Sequence, residues 1–361
     1  MPITLPFFLA IAAGFVVVGV YLERKISAFI QDRMGPMEVG KWGLLQLVAD
    51  LLKLIQKEDI VPLAVDRRLF LAAPLVIFTA IFAGFAVLPL GPDLEGSSAE
   101  VGVFYLLTII SVDVVGILMA GWGSNNKYSL MGAVRAVAQI ISYEIPLGLT
   151  VLCVAMTCQT LDLQNISYQQ GLYSLEPNYL FGLKPMGVDV TNWGGFFSWN
   201  VVRSPFLLVV YVIFFIATLA ECNRAPFDIP EGESELVGGF HTEYSGMRWA
   251  LLFLSEYAMM LLVSLLGAIL FWGSWNTPFP NVGALRLADW TSGAPGTIWG
   301  NVTGIFWLLS KALFAVLIQM WVRWTFPRLR VDQLMFLCWK VLTPASLILF
   351  FVCGVWRLLM V

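Results

Sequence analysis

The chain of 361 residues consists mainly of apolar side chains. Hydrophobic residues make up 59% of it and charged residues only 12%, with a net charge of -3 and a mean hydropathy of +0.81. This composition excludes a soluble domain of this length and is typical of a polytopic membrane protein.

Eight apolar segments are long enough to cross a bilayer. A hydrocarbon core of about 30 Å needs roughly 20 helical residues, and within it the backbone must satisfy its own hydrogen bonds. We therefore predict an all-α polytopic membrane protein that forms one membrane domain over residues 1–361. The predicted spans are approximately 4–22, 69–90, 101–121, 133–159, 202–221, 249–273, 303–322 and 335–356.

The first span has no Lys or Arg before Arg24, so it lacks the basic leader of a signal peptide and is expected to remain as an anchor. Basic residues concentrate between spans one and two and between spans seven and eight. Because cytoplasmic loops carry an excess of Lys and Arg, these loops are predicted to face the cytoplasm. Alternation of the spans then places both termini on the outer side.

A shorter helix is predicted at about 42–57, between the first two spans. In WGLLQLVADLLKLIQK the polar residues Gln46, Asp50, Lys53 and Lys57 form one narrow stripe at helical spacing. The segment is too short to span, so we expect it to lie along the membrane surface. Periodicity alone favours a simple surface anchor; the alternative is a gate for a lipid-soluble ligand.

Ionisable residues within predicted spans usually mark a path for ions, protons or substrate. Glu144 lies two residues before Pro146, whose ring prevents a helical hydrogen bond, and Glu221 closes the fifth span. For Glu144 and Glu221 we predict a functional role in such a path. Asp113, Glu256 and Lys311 are equally compatible with a function and with structural pairing.

The segment of about 221–248, ECNRAPFDIPEGESELVGGFHTEYSGMR, is a predicted cytoplasmic loop rich in carboxylates. Glu231 and Glu235 stand one helical turn apart with Glu233 between them, and such crowding resists joint ionisation. The loop is therefore predicted to exchange protons, although a solvated acidic connection also fits the pattern. His241, the only histidine, is interpreted as a solvated loop residue in preference to a pH switch.

The five cysteines form no CxxC pair, so no metal or iron-sulfur site is predicted and they are interpreted as small fillers of helix contacts. The loop from about Thr160 to Val201 is rich in Gly, Asn, Gln and Tyr, and no function is assigned to it.

Several long motifs resemble one family. They are YLERKISAFIQDRMGP, LLQLVADLLKLIQKEDIVP, RAVAQIISYEIPL, ECNRAPFDIPEGESELVGGFHTEYSGMRWALLFLSEY and RWTFPRLRVDQLMFLCWK. In this order they are similar to the membrane subunit of respiratory complex I that bears the quinone chamber, which is the H subunit of NADH-quinone oxidoreductase. The similarity runs from about Tyr21 to beyond Lys340.

The resemblance implies a subunit of a proton-pumping NADH:quinone oxidoreductase in the bacterial cytoplasmic (inner) membrane. Such a subunit forms the quinone entry tunnel and couples quinone reduction to proton translocation, and it is not catalytic alone. Quinone is its expected ligand, with no flavin or iron-sulfur cluster in the chain. Its expected partners are the peripheral-arm subunits at the quinone site and the small membrane subunits that lead to antiporter-like subunits; no nucleic acid is expected.

The resemblance also suggests roles for individual residues, none of them catalytic. Arg24, Arg33, Asp50 and Lys53 match positions of the tunnel mouth and its surface helix, and Arg135 and Arg224 match basic partners of the acids. The residues that match the proton-coupling acids are Glu144, Glu221, Asp228, Glu231, Glu233, Glu235 and Glu243.

Three alternatives remain open from the sequence. A related energy-converting hydrogenase complex has a homologous membrane subunit with less need of a quinone tunnel. A stand-alone proton-coupled transporter would also keep acids inside a helical bundle. A purely structural anchor would have no need of Glu144 beside Pro146.

Overall fold

The computed structural model describes residues 4–174, 177–184, 187–230, 232, 236–281, 285–292 and 294–360. Within these ranges the chain is helical, and the only β-type pairs are two isolated bridges. In chain order the helices are α1 (Thr4–Ile30), α2 (Gln46–Gln56), α3 (Arg67–Gly84), α4 (Gly102–Gly123), α5 (Lys127–Cys158), α6 (Leu163–Gln169), α7 (Asn200–Arg203), α8 (Leu207–Glu221), α9 (Gly246–Phe271), α10 (Leu287–Ser292), α11 (Ile298–Thr325), α12 (Val331–Phe336) and α13 (Thr343–Met360).

Six helical segments in the described part of the chain are long and apolar enough to cross a membrane. They are α3 with the 3₁₀ turn Phe85–Val87 that follows it, α4, α5, α9, α11, and the segment Val331–Leu359. In the last of these a π-helical turn joins α12 to α13. The first and fifth predicted spans correspond to α1, with 27 residues, and to α8, which is apolar but has only 15. The predicted all-α polytopic membrane fold is confirmed.

Short polar side chains fix where several of the long helices begin. Asp66 accepts hydrogen bonds from the first backbone N–H groups of α3, Asn126 does so for α5, and Thr297 does so for α11. These caps satisfy donors that have no partner within the helix. They therefore stabilise the first turn of each of these helices.

The odd-numbered connections, which follow the first, third, fifth and seventh predicted spans, lie at one end of the bundle. The one after the fifth span is the acidic loop. The Ser245 hydroxyl accepts a hydrogen bond from the backbone N–H of Ile60 at 3.0 Å, and Arg248 pairs with Asp59 at 2.9 Å. At the same end, the backbone N–H of Leu329 donates to the carbonyl of Pro226 at 3.0 Å. The acidic loop thus packs between the first and the last of these connections, as alternation of eight spans requires.

The even-numbered connections, which follow the second, fourth and sixth predicted spans, lie at the opposite end of the bundle. The Tyr168 hydroxyl donates to the carbonyl of Pro92 at 2.8 Å, and the Asn276 amide donates to the carbonyl of Ser167 at 2.9 Å. The loop from about Thr160 to Val201 contains α6 and the start of α7, and it is tied to both neighbouring connections. Its described residues therefore form an ordered cover over this end of the bundle.

Gly132 on α5 permits a close approach to the acidic loop. A Cβ atom at this position would lie 2.7 Å from the Cα atom of Gly239, too close for any side chain. We expect Gly132→Ala to lower the stability of the folded chain by about 1–3 kcal/mol through overpacking. The measurement is the thermal midpoint of the purified complex. Gly148→Ala on the same helix is the control, because a Cβ there meets nothing within 4 Å; equal midpoints for both variants would contradict the packing argument.

Candidate functional site

A buried carboxylate on α1 joins three elements at the end of the bundle that holds the acidic loop. Glu23 is 5% exposed, and its Oε1 atom accepts a hydrogen bond from Arg224 at 2.7 Å and another from Arg323 on α11. Its Oε2 atom accepts a hydrogen bond from the Tyr257 hydroxyl on α9 at 2.5 Å. This Glu23 cluster therefore ties α1, α9, α11 and the start of the acidic loop together.

Electrostatics favour the charged form of Arg224 despite its burial. Burial opposes the charge, but Glu23, Tyr257 and Glu256 together outweigh that effect and raise the pKa of Arg224 above its usual range. The guanidinium also lies over the Tyr257 ring, 4.4 Å from its centroid. The resemblance suggested Arg224 as a basic partner of the proton-coupling acids, and among the described residues its ion pair is with Glu23 on the first helix.

Sequence analysis did not single out Glu23. In YLERKISAF it stands beside Arg24 and Lys25, where a mixed charge cluster at a helix end suggests a solvated surface. The available signal was its position: Glu23 and Arg24 follow the apolar run of the first span directly, so one of them had to face the interior.

Four carboxylates from four helices form a second cluster, the acid chain. Its members are Asp113 on α4, Glu144 on α5, Glu221 at the end of α8 and Glu256 on α9. Asp113 is 7% exposed and Glu221 2%. Asp113 and Glu144 both lie close enough to repel the Glu221 charge, and Glu256 repels that of Asp113. Asp113 and Glu256, for which the sequence left function and structure equal, thus join the two predicted acids.

Much of the hydrogen-bonding capacity of the acid chain is unused. Among the described residues, Oδ1 of Asp113, Oε1 of Glu144 and Oε2 of Glu221 are buried without a hydrogen-bond partner. Buried polar groups in folded proteins are almost always satisfied, so each exception points to a function or to water. In a low-dielectric interior these carboxylates cannot all be ionised together.

A small cavity connects the acid chain to the acidic loop. It encloses about 20 Å³, and its polar lining includes Asp113, Glu221, His241 and Glu256. The Nε2 atom of His241 lies 3.0 Å from Oε1 of Glu256, and only 10% of the His241 side chain is exposed. The interpretation of His241 as a solvated loop residue is therefore wrong: the side chain points into the bundle.

The backbone beside Glu144 is opened by Pro146 as expected, but the helix does not break. Pro146 has no N–H to donate to the carbonyl of Ser142, four residues earlier. The Cys338 thiol, at the π-helical turn of the last span, lies 3.0 Å from that carbonyl oxygen and donates to it instead. Glu144 thus lies beside a hydrogen bond that links the last span to α5. π-Helical turns such as the one in the last span often occur at functional sites.

The remaining acids predicted for the loop fall into two groups. Asp228 pairs with Arg328 at 3.0 Å, and Glu243 accepts a hydrogen bond from Asn126 at 2.6 Å, at the start of α5. Arg135 is half-buried on α5 and interacts with another group of the protein. Glu231, Glu233 and Glu235 lie outside the described residues, so their placement stays a prediction.

Three of the four residues predicted for the tunnel mouth lie together between α1 and α2. Arg24 pairs with Asp50 at 2.6 Å, and Lys53 lies 4.0 Å from the same carboxylate. Arg33 is separate from them and lines a cavity of about 410 Å³ with Tyr21 and Phe29 of α1 and with residues that follow this helix.

Lys311 does not belong to the acid chain. Its ammonium group donates to the backbone carbonyls of Ser274 and Asn276 at 2.9 and 2.5 Å, and lies 4.3 Å from the centroid of the Trp199 ring. These contacts hold it at the opposite end of α9, which favours the structural interpretation that the sequence left open.

The described residues contain no group of three or more His, Cys, Asp or Glu side chains placed to hold a metal ion. All five cysteines are buried and none forms a disulfide. The arrangement therefore offers proton exchange and hydrogen bonding through carboxylates, an imidazole and arginines.

The fold and the site define an all-α polytopic membrane protein with a cluster of carboxylates inside the bundle, beneath an acidic loop. Residues 3–354 match the NADH dehydrogenase family. The chain is 63% identical over 354 residues to an H subunit (number 2) of the NADH-quinone oxidoreductase of Cytophaga hutchinsonii, covering 97% of both chains. It is 53% identical over 340 residues to the H subunit of Chlorobium luteolum, covering 94% of this chain and 84% of the relative, and 39% identical over 342 residues to that of Anaeromyxobacter dehalogenans, covering 94% and 78%.

The chain belongs to the H-subunit family of NADH-quinone oxidoreductase, and the resemblance identified from its motifs is confirmed. It is thus a membrane-embedded component of a multi-subunit oxidoreductase.

Proposed function

We propose that this chain forms the membrane wall and entrance of the quinone chamber, and couples quinone reduction to proton translocation through the acid chain. The observation that supports this most strongly is the row of four carboxylates beneath the acidic loop, in which Asp113 and Glu221 are buried and Glu144 and Glu256 are partly buried. The names of the relatives, all NADH-quinone oxidoreductase subunits, favour this function over that of a hydrogenase subunit or a stand-alone transporter.

The chemistry of quinone reduction explains why such a row is useful. Each quinone takes up two protons as it becomes quinol, so its reduction withdraws protons from nearby groups. Carboxylates that cannot all be charged together redistribute their protons when one of them gains or loses its own. A proton withdrawn at the loop end would in this way change the protonation of Glu144, at the other end of the row.

The surroundings of α2 support an entrance from the bilayer. Several large apolar side chains of this helix are exposed on the isolated chain, including Val48, Leu52 and Ile55. They would contact lipid, while the Arg24–Asp50 pair holds the polar stripe against α1. A long apolar quinone tail could therefore pass from the membrane towards the cavity that Arg33 lines.

The same proposal fixes partners and orientation. The odd-numbered connections would face the cytoplasm of a bacterial inner membrane and contact peripheral-arm subunits at the quinone site, with both termini outside. The face near Glu144 would contact the small membrane subunits that lead to the antiporter-like subunits. Quinone is the ligand, and the electrons would come from flavin and iron-sulfur groups held by other chains.

The orientation can be tested by labelling single introduced cysteines, because the five native ones are buried. Leu63→Cys lies in the first connection and Trp290→Cys at the opposite end of the bundle, and both positions are exposed. A membrane-impermeant maleimide should label the Trp290→Cys chain in intact cells, and the Leu63→Cys chain only in inverted vesicles. The reverse pattern would overturn the proposed orientation.

The entrance can be tested with quinones of different tail length. Arg24→Met breaks the pair with Asp50 and loosens α2, so we expect the rate with a long-tailed quinone to fall several-fold further than the rate with a short-tailed one. Lys57→Met, at the exposed end of α2, is the matched control and should leave both rates near wild type. Equal losses for the two quinones in Arg24→Met would contradict the tunnel assignment.

A further inference from the structure

We propose that His241 and one water molecule in the small cavity form the proton link between the acidic loop and the acid chain. This inference rests on the proposed function and names the group through which protons enter the row. Neither the family membership nor the motifs assign such a role to His241.

The size and lining of the cavity fit a single water molecule. A cavity needs a volume of about 10–15 Å³ or more, and two to four polar partners, to hold one water. This cavity offers about 20 Å³, with carboxylate and imidazole groups from Asp113, Glu221, His241 and Glu256 in its wall. A water at this position would satisfy carboxylate oxygens of Asp113 and Glu221 that lack a partner among the described residues.

His241 stands where the loop meets the bundle. Its turn packs onto α5 at the Gly132–Gly239 contact, and the Phe240 ring lies 4.0 Å from the imidazole centroid. This packing fixes the imidazole, so that Nε2 faces Glu256 at 3.0 Å. The loop acids Glu231 to Glu235 precede His241 by only a few residues along the chain.

The titratable groups that line the cavity with His241 are all acidic. Asp113 faces it from α4, Glu221 and the Cys222 thiol from the end of α8, and Glu256 from α9. On α5 the charged residue one turn beyond the Gly132 contact is Arg135. Histidine is the side chain whose ordinary titration falls between about pH 5 and 8.

The transfer conserves protons at each step. The imidazolium N–H bond at Nε2 breaks as the proton passes to Oε1 of Glu256, which leaves a neutral imidazole and a protonated carboxyl group. A proton from the loop then restores the imidazolium. Glu256 passes its proton through the water to Asp113 or Glu221, so one proton enters the row for each one that leaves the loop.

The test uses the assembled complex with His241→Gln, which retains hydrogen bonding and cannot titrate. We expect proton pumping coupled to quinone reduction to fall about tenfold at pH 7, by loss of a proton-transfer group. The wild-type step in the pH profile between about pH 5 and 8 should also disappear. Electron transfer to a water-soluble acceptor upstream of quinone should be unchanged, as should all rates in the control Val237→Gln, which is 64% exposed on the same loop.

Separate outcomes distinguish this inference from the proposed function. A wild-type rate and pH profile in His241→Gln, together with loss of pumping in Glu221→Gln, would overturn the histidine link alone. Normal pumping in both variants would overturn both. If His241→Gln does not assemble, Glu256→Gln replaces it, because it keeps the partner of Nε2 and removes the proton acceptor; a wild-type pH profile in that variant would also overturn the link.

The water is tested independently of activity. A density map of the assembled complex that resolves ordered water should show one water within hydrogen-bond distance of Asp113 and Glu221. A resolved cavity without density would overturn the part of the inference that concerns the water.

Discussion

Replacing Glu23 with Gln is expected to remove most of the assembled complex from the membrane. The substitution leaves the Arg224 and Arg323 guanidinium groups beside a neutral amide, with Arg224 only 9% exposed. Breaking a buried ion pair by removing one partner costs about 3–5 kcal/mol, because the remaining charge is uncompensated. That is a large fraction of the stability of a typical fold. The amount of assembled complex in solubilised membranes and its thermal midpoint measure the effect.

The control for Glu23→Gln is Arg286→Gln. Arg286 pairs with Asp289 at 3.8 Å, but 76% of the Arg286 side chain is exposed, and such pairs contribute at most about 1 kcal/mol. This variant should assemble at the wild-type level. Full assembly of Glu23→Gln with an unchanged midpoint would show that the Glu23 cluster does not hold α1, α9 and α11 together.

Glu144→Gln and Glu221→Gln are expected to depress quinone-dependent proton pumping by a factor of ten or more in fully assembled complex. Each substitution preserves the shape of the side chain and removes one titrating member of the acid chain. Removal of a positioned proton-transfer group typically costs about 10²–10⁴ in rate. Electron transfer to a water-soluble acceptor upstream of quinone should remain almost intact, since the acids act only on the quinone step.

The double variant shows whether the acids act as one unit. Because a proton must pass each member of the row, Glu144→Gln/Glu221→Gln should lose little more than the worse single variant. The same rule applies to Glu231→Gln if the loop acids belong to the path. Glu100→Gln, an exposed acid before α4, is the control and should pump normally. Strictly additive losses would show that the acids are independent charges.

The membrane bundle could be predicted from the sequence because each span carries its own signal. Length and apolar composition are local properties, and they placed six predicted spans near segments long and apolar enough to cross a membrane, and the other two near α1 and α8. The short helix α8 illustrates the limit: its predicted start at 202 falls in the four-residue helix α7, because the Ser204–Pro205 step separates two helices within one apolar run.

The candidate site was only partly predictable, because its contacts join residues that are distant in sequence. Glu144 and Glu221 were recognisable as carboxylates inside apolar runs, a signal that needs no partner. Glu23 and His241 were not, since a charge at a span boundary and a histidine in a loop resemble solvated groups. Their partners, Arg323 and Glu256, lie 300 and 15 residues away along the chain.

The interpretation of Pro146 shows the same division between local and tertiary information. The sequence identified the missing hydrogen bond beside Glu144, since proline always lacks the N–H. It could not identify Cys338 as the donor that replaces it, because that contact depends on how the last span packs against α5.

The central claim, that this chain couples quinone reduction to proton translocation, is tested most directly by counting protons translocated per quinone reduced. The measurement uses purified complex in sealed proteoliposomes and records both the rate of quinone reduction and the protons translocated, for the wild-type chain and for Glu221→Gln. The account predicts a lower ratio of protons to quinone in the variant, or a quinone reduction that stops altogether while the upstream acceptor is still reduced. A wild-type ratio at a wild-type rate would contradict it.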